Sequence, residues 1–311
     1  MEIVHRPVMV EEVLQMLKPE GPGALVVDGT LGEGGHSERF LKDWPEAQVV
    51  GIDADANIQA KAIERLAAFG GRFQAYNDWY DHFFSSWPLE RRADRILLDL
   101  GISVYHYQES GRGFSFQRDE PLDMRLREDA GPSVAELVAT LSEDELADII
   151  FRFGEERYGR KIARAICRGR EMAPITGSKQ LAELIRAVVP ADYRYGRLHP
   201  ATRTFQALRI AANGELERIG RALASAFSRL EVGGRFGVIT FHSLEDRLVK
   251  QYFREKAKEC SCPPEQPRCT CDRVPEAEVL TRKAMLPGET EIRENPPSRS
   301  AKFRVLRKVK G

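Results

Sequence analysis

The segment Asp28-Gly29-Thr30-Leu31-Gly32-Glu33-Gly34-Gly35-His36 has the composition of a turn that admits a small ligand to the backbone. Glycines allow a sharp reversal, and a strand that runs through such a turn into a helix points backbone N–H groups at a bound nucleotide. The plain alternative is a tight strand–helix connection with no ligand. Gly32 and Gly34 imitate the dinucleotide GxGxxG, but no third glycine falls where that motif places it. Charge separates the nucleotides further: Asp28 and Glu33 repel a pyrophosphate and attract a cationic methionine moiety. The turn therefore favours S-adenosylmethionine over NAD.

Two more carboxylates fall at matching places. Asp53 ends the next apolar run, 25 residues after Asp28, where a carboxylate accepts both hydroxyls of a ribose. Asp99 ends the run RILLDL at the same edge of the expected sheet, facing a methyl donor. Methyl transfer is a direct displacement, so positioning is the main task of the protein. Asp99 or Ser103 can accept an N–H of an exocyclic base amine and redirect its delocalised lone pair; alternatively Asp99 anchors the amino group of the methionine moiety. Within Tyr76-Asn77-Asp78-Trp79-Tyr80, a ring could stack on adenine or simply fill the core. His242, after another strand-like run, either faces a target base or caps a helix.

These residues need a sheet to align them. ALVVD (24–28), QVVGID (48–53), RFQAY (72–76) and RILLDL (95–100) are short apolar runs alternating with the helical patterns 10–17, 36–44 and 56–69, the signature of a parallel α/β sheet covered on both faces. Residues 103–132 lack a period, and 133–190 read as several short helices. Then come a long helix over 204–230, a strand over 233–241, a helix over 243–257 with a capping box at Ser243 and Asp246, and an alternating strand over 302–309. The expected architecture is a doubly wound, Rossmann-like domain of residues 1–108 and 200–311, interrupted by a helical domain, 109–199, that recognises RNA.

Lys plus Arg and Asp plus Glu number 47 each, which argues against a generally basic nucleic-acid coat but not against local basic faces. Residues 151–170 carry Arg152, Arg157, Arg160, Lys161, Arg164, Arg168 and Arg170, and residues 297–311 are basic without an acid. The apolar runs are too short to cross a bilayer and no secretory signal core is present, so a cytoplasmic protein with no membrane partner is expected.

At HRPVMVEEVL, VDGTLGEGGHS, GIDAD, LLDLGIS, RGFSF, PLDMR, FGEERYGRKIARAI, HPATRTFQALRI, FHSLEDRLVK and SRSAKFRV the chain resembles, nearly end to end, the bacterial 16S rRNA (cytosine-N4)-methyltransferase family known as RsmH or MraW. The resemblance implies a class I S-adenosylmethionine-dependent methyltransferase domain with a helical insertion. It also implies methylation of the N4 amino group of a cytidine in the decoding region of 16S rRNA; the partner expected is that rRNA within the small ribosomal subunit, with naked rRNA as the alternative. Carried over by motif, cofactor contacts fall on Gly34, Gly35, His36, Asp53, Tyr80 and Asp99. Tyr80 replaces the usual phenylalanine of the family. Ile102-Ser103-Val104-Tyr105-His106 replaces Val-Ser-Ser-Pro-Gln, so His106 stands where the family has a glutamine near the cofactor. Pro297 stands for a usual arginine. A same-fold RNA methyltransferase with a shifted target base, or an RNA-binding ribosome-assembly factor, are the alternatives.

In that context Arg112, Arg118, Arg125 and Arg127 are expected to grip phosphates, and Phe114, Phe116, Tyr105 or Tyr107 to stack on an extruded base or to pack in the insertion. Cys167 reads as a core residue. Cys260-x-Cys262-x6-Cys269-x-Cys271 pairs four thiols across a Pro-rich loop, a pattern that can hold zinc, though the spacing is tighter than usual and the family does not require a metal.

Overall fold

The computed structural model describes residues 6–260, 262, 266 and 270–311. The chain begins with α1 (Val10–Met16), β1 (Leu25–Asp28), α2 (Gly35–Asp43), β2 (Gln48–Asp53), α3 (Ala56–Leu66), β3 (Phe73–Asn77), α4 (Tyr80–Ser86) and β4 (Ala93–Asp99). Seven helices follow: α5 (Val104–Gln108), α6 (Val134–Thr140), α7 (Glu143–Gly154), α8 (Gly159–Met172), α9 (Ser178–Val188), α10 (Ala191–Arg194) and α11 (Thr202–Asn213). The chain then forms α12 (Glu215–Arg229), β5 (Leu230–Thr240), α13 (Ser243–Lys256), β6 (Ala277–Val279), α14 (Glu289–Glu294) and β7 (Lys302–Lys308). These elements divide into two compact units, Met1–Gly101 with Glu217–Gly311, and Ile102–Leu216.

In the first unit the described residues form a sheet ordered β3-β2-β1-β4-β5-β7-β6. β1 to β5 are mutually parallel, and β7 runs antiparallel to both β5 and β6. This is the class I methyltransferase sheet. Its central strands are buried on both faces, as the continuous apolar runs require. One core layer combines Val13 of α1, Leu17 at its C-terminal cap, Phe40 of α2, Leu66 of α3 and Phe303 of β7. α3 starts cleanly because the Asp55 side chain accepts the Asn57 amide.

The second unit is helical, with its own core from Val138, Leu146, Ile150, Ile162, Ile166, Leu181, Ile185 and Phe205. Capping boxes at Ser133/Glu136 and Ser142/Glu145 start α6 and α7.

The structure corrects three sequence expectations. The helix over 204–230 is two helices, broken at Gly214, which adopts a left-handed φ of 59° after α11. The capping box of α13 lies one residue earlier, at His242 with Glu245. Strand β6 and helices α4 and α14 were not expected; at three, seven and six residues they are too short to show a hydrophobic period.

Candidate functional site

The carboxyl ends of the parallel strands carry Asp28, Asp53, Asn77, Asp99 and Thr240 in neighbouring register. The Gly-rich turn after β1 is tied to the strands on both sides. Leu31 N donates to Ile52 O at 2.8 Å and Gly32 N to an Asp53 carboxylate oxygen at 2.8 Å. On the other side Gly29 N donates to Leu97 O at 2.9 Å, and Asp99 N to Thr30 Oγ1 at 2.6 Å. The turn is therefore preorganised by the sheet. Gly34 at its end has φ 78° and precedes α2 without a capping side chain, so the first-turn amides of α2 receive no acceptor from their cap.

The acids differ in state. Asp28 is 1% exposed, and burial pushes its carboxyl up to about 6 against the opposing hydrogen bonds of Ser37 and Thr30. Asp99 is held well above the usual carboxylate range by burial first, then by the negative charges of Asp28, Glu245 and Glu291. Its Oδ1 is buried and has no hydrogen-bond partner among the described residues. His36 is buried; a carbonyl only accepts, so its Nε2 carries the proton that bonds Val8 O at 2.9 Å. Its Nδ1 lies 3.9 Å from Asp99 Oδ2. Glu245 and Glu291 are acids of this cluster that sequence reasoning missed, since each arrives from a distant helix.

Tyr80 opens α4 between two anchored neighbours. Trp79 lies under the Arg218 guanidinium, 3.8 Å from ring centre to Cζ. Asp81, itself buried, pairs with Arg218 at 3.1 Å and Arg221 at 2.8 Å, both from α12. A side chain at Gly29 would reach the Tyr80 Cβ at 3.5 Å and collide with Leu98 Cδ2 at 2.5 Å, so the turn needs glycine there and Tyr80 stands beside it. The first unit thus brings together Gly34, Gly35, His36, Asp53, Tyr80 and Asp99.

Ser103 and His106 belong to the second unit. Ser103 caps α5, its Oγ accepting the Tyr105 amide at 3.2 Å. His106 is 4% exposed, with its ring 5.2 Å from that of Phe114. The expectation that four arginines stand ready for phosphates is corrected. Arg112 is buried and donates to the carbonyls of Arg125 and Leu126; Arg118 donates to Gln108 O. Arg125 is engaged by Asp123 at 2.7 Å and Arg127 by Asp129 at 3.0 Å. Phe114 is core, and Phe116 packs on His199 and Phe205; Tyr107 is 43% exposed. In the basic stretch, Arg170 serves the carbonyls that end α6, and Arg152 and Arg164 pair with acids. Arg160, Lys161 and Arg168 remain exposed on α8. Arg157 covers the Tyr158 and Tyr193 rings at 4.8 and 4.9 Å.

The first unit fits S-adenosylmethionine on its own chemistry. A buried carboxyl oxygen without a donor among the described residues, near a helix start that has no side-chain cap, matches the ammonium and carboxylate of an amino acid. Asp53 accepts two backbone amides, at 2.8 and 2.9 Å, which fix its carboxylate at the end of β2, where a ribose is expected. Among the described residues no helix is long and apolar enough to cross a membrane.

The sequence model of the MraW methylase family matches residues 2–309. A ribosomal RNA small subunit methyltransferase H of Treponema denticola is 54% identical over 310 residues, covering 99% of this chain and 98% of its own. Proteins of the same name from Trichlorobacter lovleyi and Treponema pallidum are 44% and 41% identical, covering 99% and 98% of this chain and 99% and 93% of their own.

Proposed function

Because the chain belongs to the MraW methylase family, we propose that it methylates the N4 amino group of a cytidine in the decoding region of 16S rRNA, within the small ribosomal subunit. The observation that carries the methyl-donor half of this reading is Asp99: a half-buried carboxyl at the end of β4 whose buried Oδ1 has no hydrogen-bond partner among the described residues. The base and its position rest on the family resemblance and on the names of the relatives.

S-adenosylmethionine supplies a methyl group activated by its sulfonium. The amides at the start of α2 would hold its carboxylate, Asp99 its ammonium and Asp53 its ribose hydroxyls, and Tyr80, fixed between Trp79 and Asp81, would offer a ring face beside the turn. His36 holds the Val8 segment against this site. The base amine would form its new N–C bond as the S–C bond breaks, with the sulfur leaving as a neutral thioether and the amine's proton passing to solvent. Asp99 and Ser103 are the candidate acceptors for the N–H that orients it. His106 is a further candidate cofactor contact. The insertion, 109–199, is the proposed RNA-recognition domain: Arg160, Lys161 and Arg168 offer charge to phosphates, and Arg157 with its two tyrosines offers a stacking surface.

Mass spectrometry of small-subunit rRNA from a deletion strain, complemented with wild type or Asp99→Ala, tests this. N4-methylcytidine should disappear on deletion, return with wild type and stay absent with the variant. Loss of a modification at another base would favour the shifted-target alternative, to which the His106 loop points. An unchanged modification profile with defective subunits would favour an assembly factor.

A further inference from the structure

We propose that the loop between α13 and β6 binds one zinc ion through Cys260, Cys262 and Cys271. The methyl-transfer reading uses none of these residues. Their sulfurs all lie within 4.8 Å of one another, and Cys271 Sγ is 3.7 Å from Cys260 Sγ. Two thiolates on a tetrahedral zinc with Zn–S of about 2.3 Å stand about 3.8 Å apart. The sulfurs already occupy one edge of that tetrahedron, and a disulfide would need about 2.05 Å.

Two backbone amides face the sulfurs. Cys262 N donates to Cys260 Sγ at 3.3 Å and Thr270 N to Cys262 Sγ at 3.4 Å. Such N–H···S bonds stabilise thiolate over thiol and orient it, the supporting role expected around a metal. The sequence offers a fourth thiol, Cys269, which lies outside the described residues.

The loop gives a physical reason for a metal. No described residue between Ala257 and Glu276 is buried, so these residues bring no apolar core to order the segment. Its stem is closed by Lys256–Glu276 at 2.7 Å and Glu255–Arg273 at 2.8 Å, both surface ion pairs of small stabilising value. Beyond the stem, what converges is sulfur. Among the described residues the converging donors are all thiols, and soft thiolates favour zinc over magnesium or calcium. The ion would clamp the crossing into β6, an edge strand of three residues.

The test uses the full chain purified under reducing conditions from zinc-supplemented medium. Elemental analysis should find about one zinc per chain, lost in Cys260→Ser/Cys271→Ser and kept in a Cys167→Ser control. Cobalt added to metal-stripped wild type should give thiolate charge-transfer bands and the intense visible bands of a tetrahedral ion. Trypsin should cut at Lys258 and Arg273 faster once metal is removed, while donor affinity by titration calorimetry stays unchanged. Unchanged donor affinity separates this proposal from the methyl-transfer reading. No metal, a metal other than zinc, zinc that persists in the double variant, a Cys260–Cys271 disulfide in reduced preparations, or octahedral cobalt spectra would each overturn it.

Discussion

Replacing Asp28 by asparagine should stabilise the first unit at neutral pH in the absence of cofactor, although Asp28 sits at the heart of the candidate site. Its carboxyl moves from an ordinary 3.8 to about 6 through burial. The folded-state value lies above the unfolded one, so the folded chain holds the proton more tightly. That contribution is fully present below pH 3.8 and is lost as pH rises through about 6. At about 1.36 kcal/mol per tenfold change in proton affinity, keeping the ionised form buried near pH 7.5 costs about 3 kcal/mol. Asparagine keeps the size and can still accept the Ser37 hydroxyl, now at 2.8 Å. It gives up the longer bond from Thr30 N at 3.3 Å, a loss of about 1 kcal/mol. The net gain is about 2 kcal/mol near pH 7.5, vanishing or slightly reversing near pH 4. Trp44, Trp79 and Trp87 all lie in the first unit, so urea unfolding followed by tryptophan fluorescence reads this unit alone. A variant whose stability tracks the wild type at every pH would refute the assignment of the raised carboxyl to Asp28.

Other outcomes follow from the same geometry. Asp53→Ala should weaken donor binding by about 1–3 kcal/mol through lost charged hydrogen bonds; titration calorimetry with unaltered affinity would remove Asp53 from the site. Donor affinity should rise with pH: burial and neighbouring acids raise the Asp99 carboxyl above its ordinary range, and it must ionise to meet an ammonium, so affinity gains up to about one decade per pH unit below the empty-site pKa. A calorimetric profile that is flat with pH, or one unchanged in Asp99→Asn, would exclude that coupling. Arg160→Ala/Lys161→Ala/Arg168→Ala should lower the slope of log affinity against log salt by about 2 for a single-stranded rRNA fragment, at about 0.7 per phosphate contact. An unchanged slope would place the RNA elsewhere.

Much of the sheet is legible in the sequence because central parallel strands must be apolar on both faces, so β1, β2 and β4 appear as uninterrupted runs ending in Asp28, Asp53 and Asp99. Those ends share one edge by topology alone. What is not legible depends on partners far along the chain. Asp81 meets Arg218 and Arg221 across about 140 positions, and nothing near Tyr80 announces the clamp on either side of it. The acids that raise Asp99, Glu245 and Glu291, belong to α13 and α14, and α14 is too short to register as a helix. The arginines of 112–127 mislead for the opposite reason. Their partners are close, Asp123 beside Arg125 and Asp129 beside Arg127, and a count of positive charges ignores such pairing.

The candidate site thus keeps acids where burial makes their ionisation unfavourable. In a protein core that arrangement is a defect, since burial raises the proton affinity of both Asp28 and Asp99 and the charge of Asp28 raises that of Asp99 further. A cation resolves it. An ammonium beside Asp99 supplies the missing donor to the orphaned Oδ1 and lowers the carboxyl's pKa, so free energy withheld in the empty fold becomes available on binding. The same field also distinguishes the two forms of the ligand. The donor carries a sulfonium charge that the demethylated product lacks, and a buried pair of acids favours the more positive form. Donor is therefore expected to bind more tightly than demethylated product, and by a smaller margin in Asp99→Asn; titration calorimetry with both ligands that finds product bound equally or more tightly would refute this.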